Sequence, residues 1–323
     1  MNVSGGNPGI SEDRLRAWGQ NLALAAAYSA LYEVARHLSF PQWMLTSGLR
    51  LAFLLLLPTR FWPALALGEG LPLLENAVFL APDMGVPWAI SESVPMVVLW
   101  MALLKPLLQR WTIHDPQGRL RMPVMLSAAL GVAIITAAAT LLTALAAILN
   151  TPTGEWPDPS TAWPGYFLAY TLGSYLGALT LTPTVLALRE RFLALGGQPV
   201  TVARIWHSAL FRDALAWVLP MLATLTWIAV HTQDAGMQQA ARLALIAPVL
   251  VLAWRHGWHG TAIGGMAASV ALAITAPGSL ADPATLRVQA ILALVVSSGL
   301  LVGAWASARA RATKSATQAA RSS

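Results

Sequence analysis

The sequence contains no cysteine and few charged residues. Without cysteine, the 323-residue chain has no disulfide, no thiolate metal ligand and no cysteine nucleophile. Charged residues make up only 11% of the chain, whereas soluble domains carry about 25%. Hydrophobic residues make up 56%. This balance argues against a soluble enzyme, a disordered protein and a nucleic-acid-binding domain, and it predicts an all-α, polytopic transmembrane helical bundle.

Long apolar runs predict about ten transmembrane segments, since a spanning helix needs about 20 mostly apolar residues. The runs lie at 19–38, 42–58, 62–80, 86–107, 123–149, 163–188, 213–231, 238–254, 259–277 and 286–307. The third run is interrupted by Glu69, Gly70, Pro72 and Glu75. It therefore either spans or is re-entrant, and eight crossings remain if two neighbouring segments form a re-entrant pair.

The two ends of the chain differ from the apolar region between them. Residues 1–18 form a polar N-terminus, 19–307 form the transmembrane domain, and 308–323 form a basic tail that we expect to be disordered. With ten crossings and a cytoplasmic N-terminus, sixteen of the 20 basic residues lie on the inner side. Because cytoplasmic loops are enriched in Lys and Arg, both termini are predicted to be cytoplasmic.

Eight charged residues lie inside the apolar segments. They are Glu33, Glu69, Glu75, Glu92, Arg36, Arg50, Arg242 and Arg287. A charge at the bilayer centre costs about 2.5–3.5 kcal/mol or more, so such groups pair with one another, lose their charge or line water. In the predicted topology most of them fall in the outer half of the membrane. They predict either a polar cavity accessible from outside or a set of internal ion pairs.

Arg50 and Glu69 form the most specific predicted pair, because both lie near the middle of their segments. Glu33 and Arg36 are three residues apart on one helix face, which predicts a structural ion pair. The sixth segment has a polar side that contributes tyrosines. The candidate ligand-binding residues are Arg50, Glu69, Glu75, Glu92, Tyr166, Tyr170 and Arg242.

No sequence motif indicates catalysis, a cofactor or a metal ion. His256 and His259 lie three residues apart, but no third ligand is near them in sequence. The chain contains no glycine-rich phosphate loop, no metalloprotease helix and no serine elbow. We therefore expect a protein that is not an enzyme, that needs no cofactor and whose ligand is an unknown small molecule.

Three pairs of glycines have the four-residue spacing that lets helices approach closely. They are Gly173 and Gly177, Gly260 and Gly264, and Gly299 and Gly303. This spacing predicts close helix packing within the chain, or a homodimer.

Three stretches together resemble the MASE1 family of bacterial integral-membrane sensory domains. The first comprises Ser47-Gly48, the leucine-rich run 51–57, Arg60-Phe61-Trp62-Pro63, Gly68 and Asn76. The second runs from Tyr170 to Pro183 with Gly173, Gly177 and Thr182-Pro183, and the third comprises Arg255-His256-Gly257 and Gly260. The resemblance covers residues from about 20 to 305.

This resemblance implies a signal-input protein of the bacterial inner membrane. Such domains usually precede a histidine kinase, a diguanylate cyclase or a phosphodiesterase, but only a short tail follows the last segment. The resemblance therefore implies either a histidine kinase or diguanylate cyclase partner acting in trans, or a family member that carries the sensory domain alone. A small-molecule transporter or an accessory membrane subunit stays open as an alternative, because kinked helices and buried charges suit transport equally well.

Overall fold

The computed structural model describes residues 8–115, 120–149, 159–194, 208–276 and 280–322. Helices α1 to α11 are, in order, Pro8–His37, Leu45–Leu56, Trp62–Met84, Val86–Glu92, Met96–Arg110, Met122–Ile148, Pro159–Ala194, Ala209–His231, Ala235–Ala244, Ala247–Thr275 and Pro283–Ser322. No β-strand lies within these ranges. The all-α bundle predicted from the sequence is confirmed.

Six helical stretches are long and apolar enough to cross a membrane, judged by length and composition. They are Thr59–Met84, Met122–Ile148, Trp163–Glu190, Ala209–His231, Ala235–Thr275 and Pro283–Ala310. Together α4 and α5 form a seventh candidate that is bent by 44° at the break between them. The chain is therefore a multi-pass membrane protein by composition and helix length.

The bundle has two ends that carry different residues. At the upper end, α1, α3 and α6 finish and α2 and α7 begin, so that Tyr32, Met84, Ala147 and Tyr170 lie around one space. At the lower end, the start of α6 lies beside Glu190 near the end of α7 and beside Ala304 and Ala308 of α11. The names upper end and lower end are used below in this sense.

The third apolar run forms the continuous helix α3, so the re-entrant alternative for this run is not what the structure shows. Pro72 lies inside α3 without ending it. Glu69 is fully buried there, against α1 and α2 rather than towards the bundle surface. Because the charge of Glu69 is met by a partner, it does not force the segment out of the apolar layer.

Within α10 the chain turns back on itself at Gly257, whose backbone has φ 60° and ψ −142°. The Leu252 carbonyl lies against Gly260, and Val249 lies against Gly264. Residues 247–256 therefore run antiparallel to residues 258–275, as two arms of a helical hairpin. Glycine suits the turn because a positive φ is strained for other residues. The turn at Gly257 lies between the two predicted segments 238–254 and 259–277. It therefore divides one long apolar stretch into two segments.

The glycine pairs bring helices of this chain together. Gly48 in α2 lies against the backbone of Gly177 in α7, and Gly177 in turn lies against the Met44 carbonyl. Gly303 in α11 touches the backbone at Trp258, just after the hairpin turn. Helix α7 is central, since it packs against α2, α6, α10 and α11. These glycines therefore allow close packing between helices of the same chain.

Helix α11 continues to Ser322, through the residues that the sequence predicted to be a disordered tail. The physical reason is composition, since this stretch is rich in alanine, and alanine has the highest helix propensity of all residues.

Candidate functional site

A buried ion pair joins α2 to α3 near the upper end. The Arg50 Nε donates to Glu69 Oε2 at 2.8 Å. Arg50 is 6% exposed and Glu69 is fully buried. The pair predicted from the two segments is therefore present, and the opposite charges neutralise each other inside the bundle. A buried charge without such a partner would be strongly unfavourable.

The Glu69 carboxylate also holds two further helices. The Tyr28 hydroxyl of α1 donates to Oε2 at 3.2 Å, and the Val97 amide of α5 donates to Oε1 at 3.2 Å. Val97 lies in the first turn of α5, which starts just after Pro95. The N-terminal amides of a helix attract negative charge, because they lack partners in their own helix. One carboxylate thus ties α1, α2, α3 and α5 together.

The Arg50 guanidinium faces aromatic groups on its other side. Its Nη2 donates to the Tyr32 hydroxyl at 3.2 Å. The Tyr32 and Trp100 ring centroids lie 5.2 and 5.7 Å from its Cζ. The Trp100 indole in turn donates to the Thr136 hydroxyl at 3.2 Å. These contacts fix the orientation of the guanidinium, whose charge is favourable near aromatic faces.

A cavity of about 590 Å³ opens beside this pair. Its polar and aromatic lining residues are Tyr32, Thr46, Arg50, Trp88, Ser91, Glu92, Thr136, Thr140, Thr143 and Tyr170. Small-molecule sites usually have about 300–1,000 Å³ and combine apolar walls with a few polar groups. The cavity matches this description, and it lies at the upper end of the bundle between α2, α4, α6 and α7.

Glu92 is the second charged residue of the cavity wall, at the last turn of α4. It is partly buried, and Arg36 and Arg50 are the cations within electrostatic reach. No hydrogen bond or ion pair to Glu92 is found within the described ranges. Its carboxylate is therefore available to a bound molecule, in contrast to that of Glu69.

The structure brings four of the predicted site residues together and leaves three apart. Arg50, Glu92 and Tyr170 line the cavity, and Glu69 lies directly behind Arg50. The other three do not line it. Tyr166 is partly buried next to Tyr170, Glu75 is exposed on α3, and Arg242 is buried between α9 and the end of α10.

Arg242 takes part in a separate polar contact at the upper end of the hairpin. Its Nη2 donates to the Thr275 carbonyl, and its charge acts on Asp282. Burial raises the pKa of Asp282, but hydrogen bonds from the Thr285 hydroxyl and amide, with the charge of Arg242, outweigh burial and lower that pKa below its usual value. Asp282 thereby caps the start of α11. The Arg242 contact therefore connects neighbouring helices and does not line the cavity.

The pair of Glu33 and Arg36 lies on α1, with the Arg36 Nε 3.5 Å from Glu33 Oε1. Both side chains are about one-third exposed. His37 also lies close to the Glu33 carboxylate, at 3.6 Å.

Three aromatic residues of the site were not identified from the sequence. Tyr28 and Tyr32 are four residues apart, so they share the face of α1 that meets Arg50 and Glu69. That spacing was a usable signal. Trp100 gave no such signal, because a tryptophan in an apolar run is equally typical of lipid contact.

A second polar cluster lies at the lower end. Asp213 Oδ2 in α8 lies 2.9 Å from Arg255 Nη1 and 2.8 Å from His256 Nε2. These two residues come immediately before the Gly257 turn, so the cluster ties α8 to the tip of the hairpin. The contact explains why a basic residue and a histidine precede this glycine.

The motifs that suggested a family resemblance meet in space. Met44 N donates to the Gly173 carbonyl at 3.0 Å, and the Ser47 and Ser174 hydroxyls lie 2.8 Å apart. The first and second motifs therefore form one interface between α2 and α7. The residues of these two motifs therefore serve the packing of α2 against α7, in addition to the structure of their own segments.

Comparison with known proteins gives the same family. The MASE1 family model matches residues 20–310, which is nearly the whole chain. MASE1 is a family of membrane-associated sensory domains rather than of catalytic domains. No match is found among curated proteins or solved structures. The chain therefore belongs to the MASE1 family.

Proposed function

We propose that this chain is a signal-input protein of the bacterial inner membrane that binds a small ligand from the outer side. The observation that supports this proposal is the cavity of about 590 Å³ at the upper end, with Arg50 and Glu92 in its wall. Ligand binding there would change the packing of α2, α4, α6 and α7. A ligand shifts a conformational equilibrium only by its different affinities for the two states, so the cavity must differ between them.

The proposed topology has ten crossings with both termini in the cytoplasm. The seven candidate spans become ten when α1 and α2 are added and the two arms of the hairpin are counted separately. Basic residues at the lower end support this orientation. They include Arg60, Lys105, Arg110, Arg121, Arg189, Arg255 and Arg309. Because cytoplasmic loops are rich in Lys and Arg, the lower end faces the cytoplasm and the cavity faces outward.

The proposed output is a separate histidine kinase or diguanylate cyclase on the cytoplasmic side. Helix α11 supports this proposal, since it packs on the hairpin tip through Gly303 and continues to Ser322. A small shift of the hairpin would therefore move a long helix. Such shifts at helix interfaces are a known means of transmitting signals.

Filling the cavity tests the signalling proposal. The tagged full chain is purified from native membranes after crosslinking, and the co-purified kinase or cyclase is assayed. Ala144→Trp fills the cavity from α6 and is expected to shift the output activity. Ala138→Trp adds the same side chain on the exposed face of the same helix and is the matched control. The proposal is wrong if neither enzyme co-purifies, or if both variants leave its activity unchanged.

A transporter is the second candidate, and one observation favours it. The break between α4 and α5 leaves the start of α5 pointing at the Glu69 carboxylate. Broken helices whose ends face charged groups are typical of transporter sites. Uptake of radiolabelled solutes into proteoliposomes that contain the pure chain would support transport and contradict a purely sensory role.

A further inference from the structure

When His37 beside Glu33 is neutral, the charged groups around the cavity do not balance. Two guanidinium groups, those of Arg36 and Arg50, lie among three carboxylates, those of Glu33, Glu69 and Glu92. Arg50 is 2.8 Å from Glu69, and Arg36 is 3.5 Å from Glu33. Each cation is therefore matched by a carboxylate at short range. The charge of Glu92 is left over, and it faces the cavity.

Partial burial makes this excess charge unfavourable unless a cation lies beside it. Taking a carboxylate out of water without a partner has a free-energy cost, and a cation bound beside it offsets that cost. Arg36 and Arg50 offset this cost only in part, because each lies closer to another carboxylate, at 3.5 and 2.8 Å. A ligand that carries a positive charge is therefore favoured over a neutral or negative ligand.

The walls around Glu92 suit an organic cation. Trp88 lies one helical turn before Glu92 on α4, and Tyr32 and Tyr170 line the same cavity. Aromatic faces attract ammonium groups, because the ring face carries partial negative charge. Ser91 and Thr143, whose hydroxyls lie 2.6 Å apart, add polar atoms on the same side. The combination of one carboxylate with several aromatic rings resembles the way proteins bind amines in general.

A metal ion fits this site poorly. No group of three or more His, Cys, Asp or Glu side chains that could hold a metal occurs in the parts of the chain that the structure describes. The cavity volume also exceeds what a single ion fills. We infer that the upper cavity binds a small organic ammonium ion, with the ammonium group on Glu92 and its carbon skeleton against Trp88 and Tyr170. This inference rests on the proposed function, since it names the class of ligand.

Three probes that share one skeleton test the inference. They are 2-phenylethylammonium, zwitterionic phenylalanine and 3-phenylpropionate. Binding to the full chain in lipid nanodiscs is measured by calorimetry and by tryptophan fluorescence. We expect the ammonium probe to bind at least about tenfold more tightly than the other two. Glu92→Gln is expected to weaken its binding by about tenfold or more, while Glu92→Asp retains part of it.

Glu75→Gln is the matched control, because Glu75 is an exposed carboxylate on α3 outside the cavity wall. It is expected to leave binding unchanged. The inference is overturned if the carboxylate or zwitterion binds as tightly as the ammonium ion, if Glu92→Gln has no effect, or if the ammonium probe does not bind at about 10 mM. Preference for the carboxylate would refute the ligand class alone. The signalling proposal is judged separately, by the effect of Ala144→Trp on the output enzyme.

Discussion

The region around the cavity and the region around α7 differ in how their helices pack against one another. Near the cavity, long side chains such as Arg50, Glu69 and Trp100 connect α2 to α3 and α5 to α6, and an open volume lies beside them. Around α7, glycines such as Gly48 and Gly177 let backbones touch. Polar and aromatic side chains line the open volume in the first region, whereas glycines bring backbones into contact in the second. The first region is therefore suited to binding, and the second to a rigid frame.

Breaking the ion pair should give the largest effect. Arg50→Met or Glu69→Leu leaves a buried charge without its partner and is expected to cost about 3–5 kcal/mol of stability. The double variant should cost less than the sum of the two single changes, because neither charge is then left alone. Unfolding of all three variants in detergent measures this. Additive losses would show that the two side chains do not depend on each other.

In the closely packed region, the corresponding test adds a side chain where none fits. A Cβ at Gly177 would overlap the Met44 carbonyl, so Gly177→Val is expected to destabilise the chain by about 1–3 kcal/mol or more. Gly19→Ala is the control, since a Cβ there meets nothing within 4 Å. Thermal unfolding compares the two. An unchanged midpoint for Gly177→Val would contradict the tight approach of α2 and α7.

Asp282 offers a smaller test on the frame side. Asp282→Ala removes the cap of α11 and is expected to cost about 0.5–2 kcal/mol. Because folding lowers the pKa of Asp282, its contribution is present at neutral pH and is lost as pH falls through the folded-state pKa. The stability difference between wild type and variant should thus shrink in acid. A difference that stays constant down to low pH would contradict the role of the ionised carboxylate.

Two carboxylates within the cavity region give the finest comparison. Glu92→Gln is expected to leave stability unchanged or to raise it slightly, because it removes a partly buried charge that has no hydrogen-bond partner in the described part of the chain. Glu69→Gln should destabilise far more, since it loses the charge that Arg50 faces. The two variants are compared in the same unfolding assay. Equal losses would show that Glu92 also has a structural role.

The sequence indicates how deep a charged residue lies in the bundle, but not which helix it faces. Arg50 and Glu69 could be paired in advance because a charge in the middle of an apolar run requires a counter-charge at the same depth. The same reasoning predicts that Arg242 lies with them, yet its partner is the Thr275 carbonyl on the hairpin. Depth can be read from the position in a segment. The identity of the neighbouring helix cannot be read from the sequence in this way, because it depends on the order and rotation of the helices in the bundle.

By itself, the sequence determined the membrane-type helical bundle, the excess of buried charge and the need for close approach at glycines. These follow from local composition and spacing, which act within one segment. Only the tertiary structure decided that Glu69 meets the first turn of α5, that α10 folds back at Gly257, and that Glu92 faces open space. Each of these depends on which faces of distant segments meet, and that choice is made by the packing of the whole bundle.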